Sequence, residues 1–269
     1  MRASQGKIKT LSPGSLSWNH LLSSKLFLIV FLAFSASGRA QSHWQDKSRQ
    51  AVVVLTDDWA STTGEMAKFE LRANKWREEG RIVPVSVGHK GLGWGVGLHV
   101  DRTSHPLKNE GDKRAPAGIF HLEFGFGASP FKERRFPFRQ VNSRDRWVDD
   151  PNSRFYNQWT VLNDPRFPQD WSSSEVMKRE DGIYDYVVVV GHNRQPTIPG
   201  RGSAIFMHSW FAPGKSTIGC TAMEKSHIRS LLGWLDLEAT PILIQIPMSE
   251  LQSLKIPPGL RASIELAMQ

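Results

Sequence analysis

The chain has 269 residues, with 34 Lys plus Arg against 26 Asp plus Glu and a formal net charge of +8. Five of those bases and none of the acids lie in residues 1–40, so the remainder carries 29 against 26, a net +3. That near-balance excludes the dense basic stripe of a nucleic-acid binder, and the lone cysteine can make no internal disulfide.

The chain opens with Arg2, Lys7, Lys9 and Lys25, followed by an unbroken apolar run over residues 26–34. Ser35, Ser37, Gly38 and Arg39 end that run well short of the roughly 20 apolar residues a spanning helix needs. The pattern predicts a signal peptide over residues 1–40, with Gly38 and Ala40 as the small residues before the cut. No cysteine sits at the cut, where Gln41 stands, so a lipoprotein is excluded. The mature chain, residues 41–269, is expected to be exported to the periplasm or cell wall, with no stable membrane span.

Beyond the signal, short apolar runs rich in β-branched residues predict strands over 51–56, 67–71, 81–87, 119–124, 186–190, 204–207 and 241–246. Glycines at 88, 91, 93, 95 and 97 do not satisfy a dinucleotide-binding pattern and predict a hairpin or a wall close to substrate. The polar, aromatic and Pro-containing stretch 129–180 predicts a loop-rich insertion over the sheet. Thr221 and Glu224 have capping-box spacing, and Ile228, Leu231, Leu232 and Leu235 follow at helical spacing, so a short helix is expected directly after Cys220. The absence of repeats, low-complexity tracts and linkers predicts one mainly β domain over 41–269, with its core at about 50–247 and long loops.

An exported protein with one thiol raises the question of what that thiol does. A free cysteine is often a small buried hydrophobe. The local sequence favours a nucleophile. A helix beginning after Cys220 would lower the thiol's pKa, Gly219 leaves room for a carbonyl, and nearby amides would form an oxyanion hole. His208, at the end of a predicted strand and 12 residues before Cys220, is the candidate base.

The segments "AIFMHS" and "STIGCTAM" resemble the L,D-transpeptidase (YkuD-type) catalytic domain, as does "KNEGDKRAPAGIF" over residues 108–120. The resemblance implies a β-sandwich or barrel, Cys220 as nucleophile, His208 as base, and Ser209, Ser216, Gly219 and Thr221 as supporting or substrate-binding residues. It also implies peptidoglycan stem peptides as donor and acceptor. Attack by Cys220 would release D-alanine and leave a thioester. An amine would resolve that thioester to a cross-link, and water would make the enzyme a carboxypeptidase. Ile218 stands where the family pattern has a histidine, and Ala222 where it commonly has an arginine. The form "STIGCTAM" is similar to a divergent branch that includes peptidoglycan hydrolases.

Other readings carry less. Nine histidines invite a zinc site at His89, His99, His192 and His208, but no zincin spacing is present. No cofactor or metal is expected. A noncatalytic cell-wall binding module would use exposed Trp94, Trp147, Trp159 and Trp171. Lys108, Glu110 and Asp112 either shape the donor site or fix a loop by salt bridges. Asn193 and Arg194 either face the same cleft or are turn residues.

Overall fold

The structure, a computed structural model, describes residues 43–100, 102, 106–132 and 135–268. The signal peptide expected over residues 1–40 lies outside the described residues. The strands are β1 (Gln50–Thr56), β2 (Thr63–Arg72), β3 (Lys75–Glu78), β4 (Val83–Ser86), β5 (Leu92–Trp94), β6 (Ala115–Gly127) and β7 (Phe138–Gln140). They continue as β8 (Asp145–Val148), β9 (Trp159–Val161), β10 (Ser174–Val176), β11 (Val187–Val190), β12 (Phe206–Ser209), β13 (Thr221–Met223) and β14 (Ile242–Pro247). Three helices accompany them: α1 (His43–Lys47), α2 (Lys225–Trp234) and α3 (Pro258–Ala267).

The main sheet runs β1-β14-β6-β11-β12-β13-β4-β2, and β2 pairs back onto β1, so these strands close into a barrel. Closure buries the inner face of β1 and β14, and the helices that share their apolar cluster cover the other, so both strands are buried along their whole length. Apolar residues of the barrel strands and of helices α2 and α3 share one core, to which Val188, Val190, Met207 and Met223 contribute from the inward face of the barrel wall.

Alternation along the same strands sends Phe126, Val187, Val189 and Phe206 outward. These residues form a second cluster with Trp147, Met177, Tyr184 and Cys220. The second cluster lies beneath the insertion. The stretch 129–180, expected to be loop-rich, holds a three-stranded sheet, β10-β8-β9, whose Trp147 stacks edge-on to Phe206 with ring centroids 5.1 Å apart. The insertion is therefore a second apolar layer over one barrel wall, and that wall carries the cysteine.

Two expectations need correction. The short helix is present, with Ile228, Leu231 and Leu232 buried as the spacing predicts, but it does not begin directly after Cys220: Thr221–Met223 is strand β13, parallel to β12, and α2 starts at Lys225 with no side-chain cap at its N-terminus. Pairing with β12 wins over the local cap, and the Thr221 hydroxyl instead donates to Gln245 Oε1 at 2.6 Å. The glycines at 88–97 form neither a loose hairpin nor a wall of the cysteine cleft. A Cβ on Gly95 would stand 2.8 Å from His192 Nδ1, and one on Gly88 2.4 Å from the Ala115 nitrogen. They allow chain segments to cross at close quarters.

Candidate active site

His208 and Cys220 reach one another through strand register. His208 pairs with Ala222 across the parallel β12–β13 ladder, so both side chains lie on the same face. Cys220 precedes Ala222 by two residues and shares that outward face, whereas Thr221 points into the barrel. His208 sits inside β12 rather than beyond its end. Both residues line a cleft of about 370 Å³, together with Glu110, Glu175, Arg179, Tyr184 and, from the intervening loop, Phe211 and residues 215–219.

The histidine is held in one tautomer. Its Nδ1 lies 2.7 Å from the Ser209 carbonyl, an acceptor only, so Nδ1 carries the proton and Nε2 keeps the lone pair. Burial pushes His208 down to about 4, so the imidazole is neutral at pH 7. Tyr184 packs against it with ring centroids 5.3 Å apart. The Tyr184 hydroxyl donates to Glu175 at 3.2 Å, and Glu175 in turn pairs with Arg179. Burial holds the Tyr184 phenol well above its ordinary value and raises the Glu175 carboxyl.

The thiol is also neutral. Cys220 is 7% exposed, and burial pushes it up to about 12 despite the opposing pull of the Phe206 amide. The expected helix dipole is absent, because strand β13 follows the cysteine. The thiol hydrogen is directed at the Ala204 carbonyl, 3.5 Å away. The substrate-free site therefore holds a thiol and an imidazole, not a preformed ion pair. Of the amides expected to form an oxyanion hole, that of Gly219 donates instead to Thr217 Oγ1 at 3.1 Å.

The other sequence candidates separate cleanly. Ser216 lines the cleft and its hydroxyl meets His89 Nδ1 at 3.2 Å. The Ser209 hydroxyl is buried with no hydrogen-bond partner among the described residues, and Ser209 does not line the cleft. Thr221 faces the barrel interior. Gly219, with φ at +155°, lies over the Lys108 stem. Lys108 is buried and its ammonium is tied to Asp112 at 2.7 Å and to the Asn109 carbonyl, so the Lys-x-Glu-Gly-Asp segment fixes its own loop. Glu110 reaches the cleft, where its Oε2 accepts from Tyr156 and Ser203. Asn193 and Arg194 do not line the cleft. Asn193 closes its own turn through the Ile198 amide and carbonyl and also donates to the Gly202 carbonyl, and Arg194 pairs with Glu123 at 3.1 Å.

His192 accepts from the Val96 amide and donates to the Arg201 carbonyl, which assigns it a structural role. Trp94, Trp147 and Trp171 are buried and Trp159 half-buried, which removes the exposed aromatic platform a binding module would need. Sequence reasoning missed Tyr184, Glu175 and Arg179. They carry no spacing signal, and only the fold of the insertion brings them to the histidine. Among the described residues, no helix is long and apolar enough to cross a membrane.

The family model of the L,D-transpeptidase catalytic domain, YkuD, matches residues 63–244. That span contains His208, Cys220 and the whole lining of the cleft. Among solved structures, the helical cell shape determining protein Pgp2 from Campylobacter jejuni aligns at 13% identity with a TM-score of 0.32, over 76% of this chain and 54% of that one. The chain thus spans about half the length of that protein. No curated protein matches.

Proposed function

Because the chain belongs to the YkuD-type L,D-transpeptidase catalytic domain family, whose activity is of a peptidoglycan-modifying type, we propose that it catalyses cysteine-dependent acyl transfer on peptidoglycan stem peptides. One observation carries the reading: His208 and Cys220 share one face and one cleft, with Nδ1 of the histidine fixed by the Ser209 carbonyl and Nε2 left as a base. The reaction starts from the neutral pair. As Cys220 Sγ bonds to the carbonyl carbon of the third stem residue, its proton moves to His208 Nε2 and the carbonyl electrons move onto oxygen. Collapse breaks the C–N bond, and the imidazolium returns the proton to the departing D-alanine amine.

A thioester remains on Cys220. In the second half, His208 takes a proton from the incoming nucleophile as the C–S bond breaks, and the thiolate is reprotonated. An amine from a second stem gives a cross-link; water gives an L,D-carboxypeptidase product. The exported location expected from residues 1–40 is where such a substrate is found.

The test is intact-protein mass after incubating wild type and Cys220→Ala with a carbapenem, and separately with a disaccharide tetrapeptide. An adduct on wild type alone, with release of D-alanine, is the expected result. A folded wild type that forms no adduct and releases no D-alanine overturns the reading. Dimeric cross-linked product against free tripeptide separates the two fates of the thioester.

A further inference from the structure

The carbonyl that meets the thiol belongs to a turn held with unusual thoroughness. Gly202, Ser203 and Ala204 are each bound by a side chain from a different part of the sequence, two of them buried (Asn193 and Asn157) and one half-buried (Glu110). Asn193 Nδ2 donates to the Gly202 carbonyl at 2.9 Å. The Ser203 hydroxyl donates to Glu110 Oε2 at 2.7 Å, and the Tyr156 hydroxyl donates to the same oxygen at 2.5 Å. The Ala204 amide donates to Asn157 Oδ1 at 3.2 Å.

Asn157 is itself fixed. Its Oδ1 also accepts from Trp147 Nε1 at 2.8 Å, and its Nδ2 donates to the His192 and Asn193 carbonyls. All of this sustains a costly backbone. Ala204 has φ at +51°, the left-handed region that a residue with a Cβ enters at a cost of about 1–3 kcal/mol. Such a conformation persists only where its surroundings determine it. Its outcome is specific, because the Ala204 carbonyl accepts from Cys220 Sγ at 3.5 Å.

We propose that Glu110, Asn157 and Asn193 are positioning residues that aim the Ala204 carbonyl at the thiol, so that in the substrate-free protein the Cys220 S–H donates to Ala204 rather than to His208. Substrate entering the cleft breaks this contact and frees the thiol to turn toward the histidine. The S–H acceptor favours the protonated form, in the same direction as burial. The thiolate is the form that oxidants attack, so a held proton protects an exported thiol between turnovers. The meaning of that protection rests on Cys220 being the nucleophile. The hydrogen bond itself does not.

The single cysteine makes the test direct, because the chain gives one S–H infrared band. In the substrate-free full chain that band should lie below the position of a free thiol. Glu110→Ala and Asn157→Ala should return it toward the free position. Glu110→Gln, which keeps an oxygen to accept from Ser203 and Tyr156, should preserve it.

Iodoacetamide alkylation against pH gives a second readout. In Glu110→Ala the midpoint should move to lower pH, and the rate at pH 8 should rise about tenfold for every pH unit by which the midpoint falls. Mere loosening of the cleft raises the plateau without moving the midpoint. A wild-type band at the free position, or folded Glu110→Ala with both band and midpoint unchanged, overturns the proposal. So does Glu110→Gln behaving as Glu110→Ala. Where Asn157→Ala does not fold, the two Glu110 variants decide. An acyl adduct with no S–H shift sinks the clamp and spares the proposed function; the reverse result does the opposite.

Discussion

Thr221 offers the sharpest test of the packing around the cysteine. Its hydroxyl donates to Gln245 Oε1 at 2.6 Å, and Gln245 Nε2 donates onward to the Pro116 carbonyl at 2.9 Å. Both side chains are 1% exposed. Strands β13 and β14 are not neighbours in the sheet, so this bond crosses the barrel interior. Thr221→Val keeps the shape and removes the donor, leaving a buried amide oxygen unpaired at a cost of about 1–3 kcal/mol. For a domain of this size that corresponds to a fall in Tm of roughly 2–12 °C. The assay is urea unfolding followed by tryptophan fluorescence, on Thr221→Val, Gln245→Leu and the double variant. The pair should be coupled, with the double variant more stable than the sum of the singles predicts by about 1 kcal/mol. Additive effects would falsify the bridge and return Thr221 to the role of a local cap.

Two further outcomes follow from buried groups. Burial lowers His121 and holds His192 at about 3 and His208 at about 4, so between those values and about 6.5 the unfolded chain binds more protons than the folded one. Stability should therefore be full above pH 6.5 and fall as pH drops toward 4, by a few kcal/mol in all, as read by chemical unfolding at pH 7.5, 6 and 5. A flat profile contradicts the burial argument, and His208→Gln should remove that residue's share. Gly118 has φ at +135°, and a Cβ there would stand 2.0 Å from His99 Cε1. Gly118→Ala should cost about 2–6 kcal/mol from backbone strain and overpacking together, measured as a loss of folded protein in urea. A Tm unchanged within error would show that the ring has room to move.

The strands legible in the sequence were those whose chemistry is uniform. Val52, Val53 and Val54 in β1 and Val187 to Val190 in β11 are β-branched and bounded by polar residues, and each became a barrel strand. Strand β13 was hidden because Thr221-Ala222-Met223 is short and carries an apparent capping pattern with Glu224. What decides it is a partner strand whose paired residues lie 14 positions earlier and a glutamine across the barrel, neither of which lies within reach of a local pattern. The small sheet of the insertion was hidden for a related reason. Its strands hold Asp145, Arg146 and Trp147, with no clean alternation, and they bury one face only because the outer barrel wall is already there.

At the site, His208 and Cys220 were legible as motif residues. The expectation of a thiol activated by a helix was not realised, since the chemistry depends on burial, which no spacing records. Glu110, open to two readings in the sequence, takes a third, bracing the turn beside the thiol. Asn157 and Ala204 gave no signal, because their importance lies in a backbone angle.

The register that joins His208 to Cys220 also has a consequence for the intervening chain. Their separation is set by two adjacent barrel strands, anchored at Trp210 by the Met223 carbonyl and at Thr217 by Val87. Of the six residues between those anchors, Phe211, Lys215 and Ser216 border the cleft, and none of the six sets the distance between His208 and Cys220. They are in effect an interchangeable part. Under the proposed function, substrate preference can change there through insertion, deletion or wholesale replacement, while His208 and Cys220 stay fixed in the wall of the barrel.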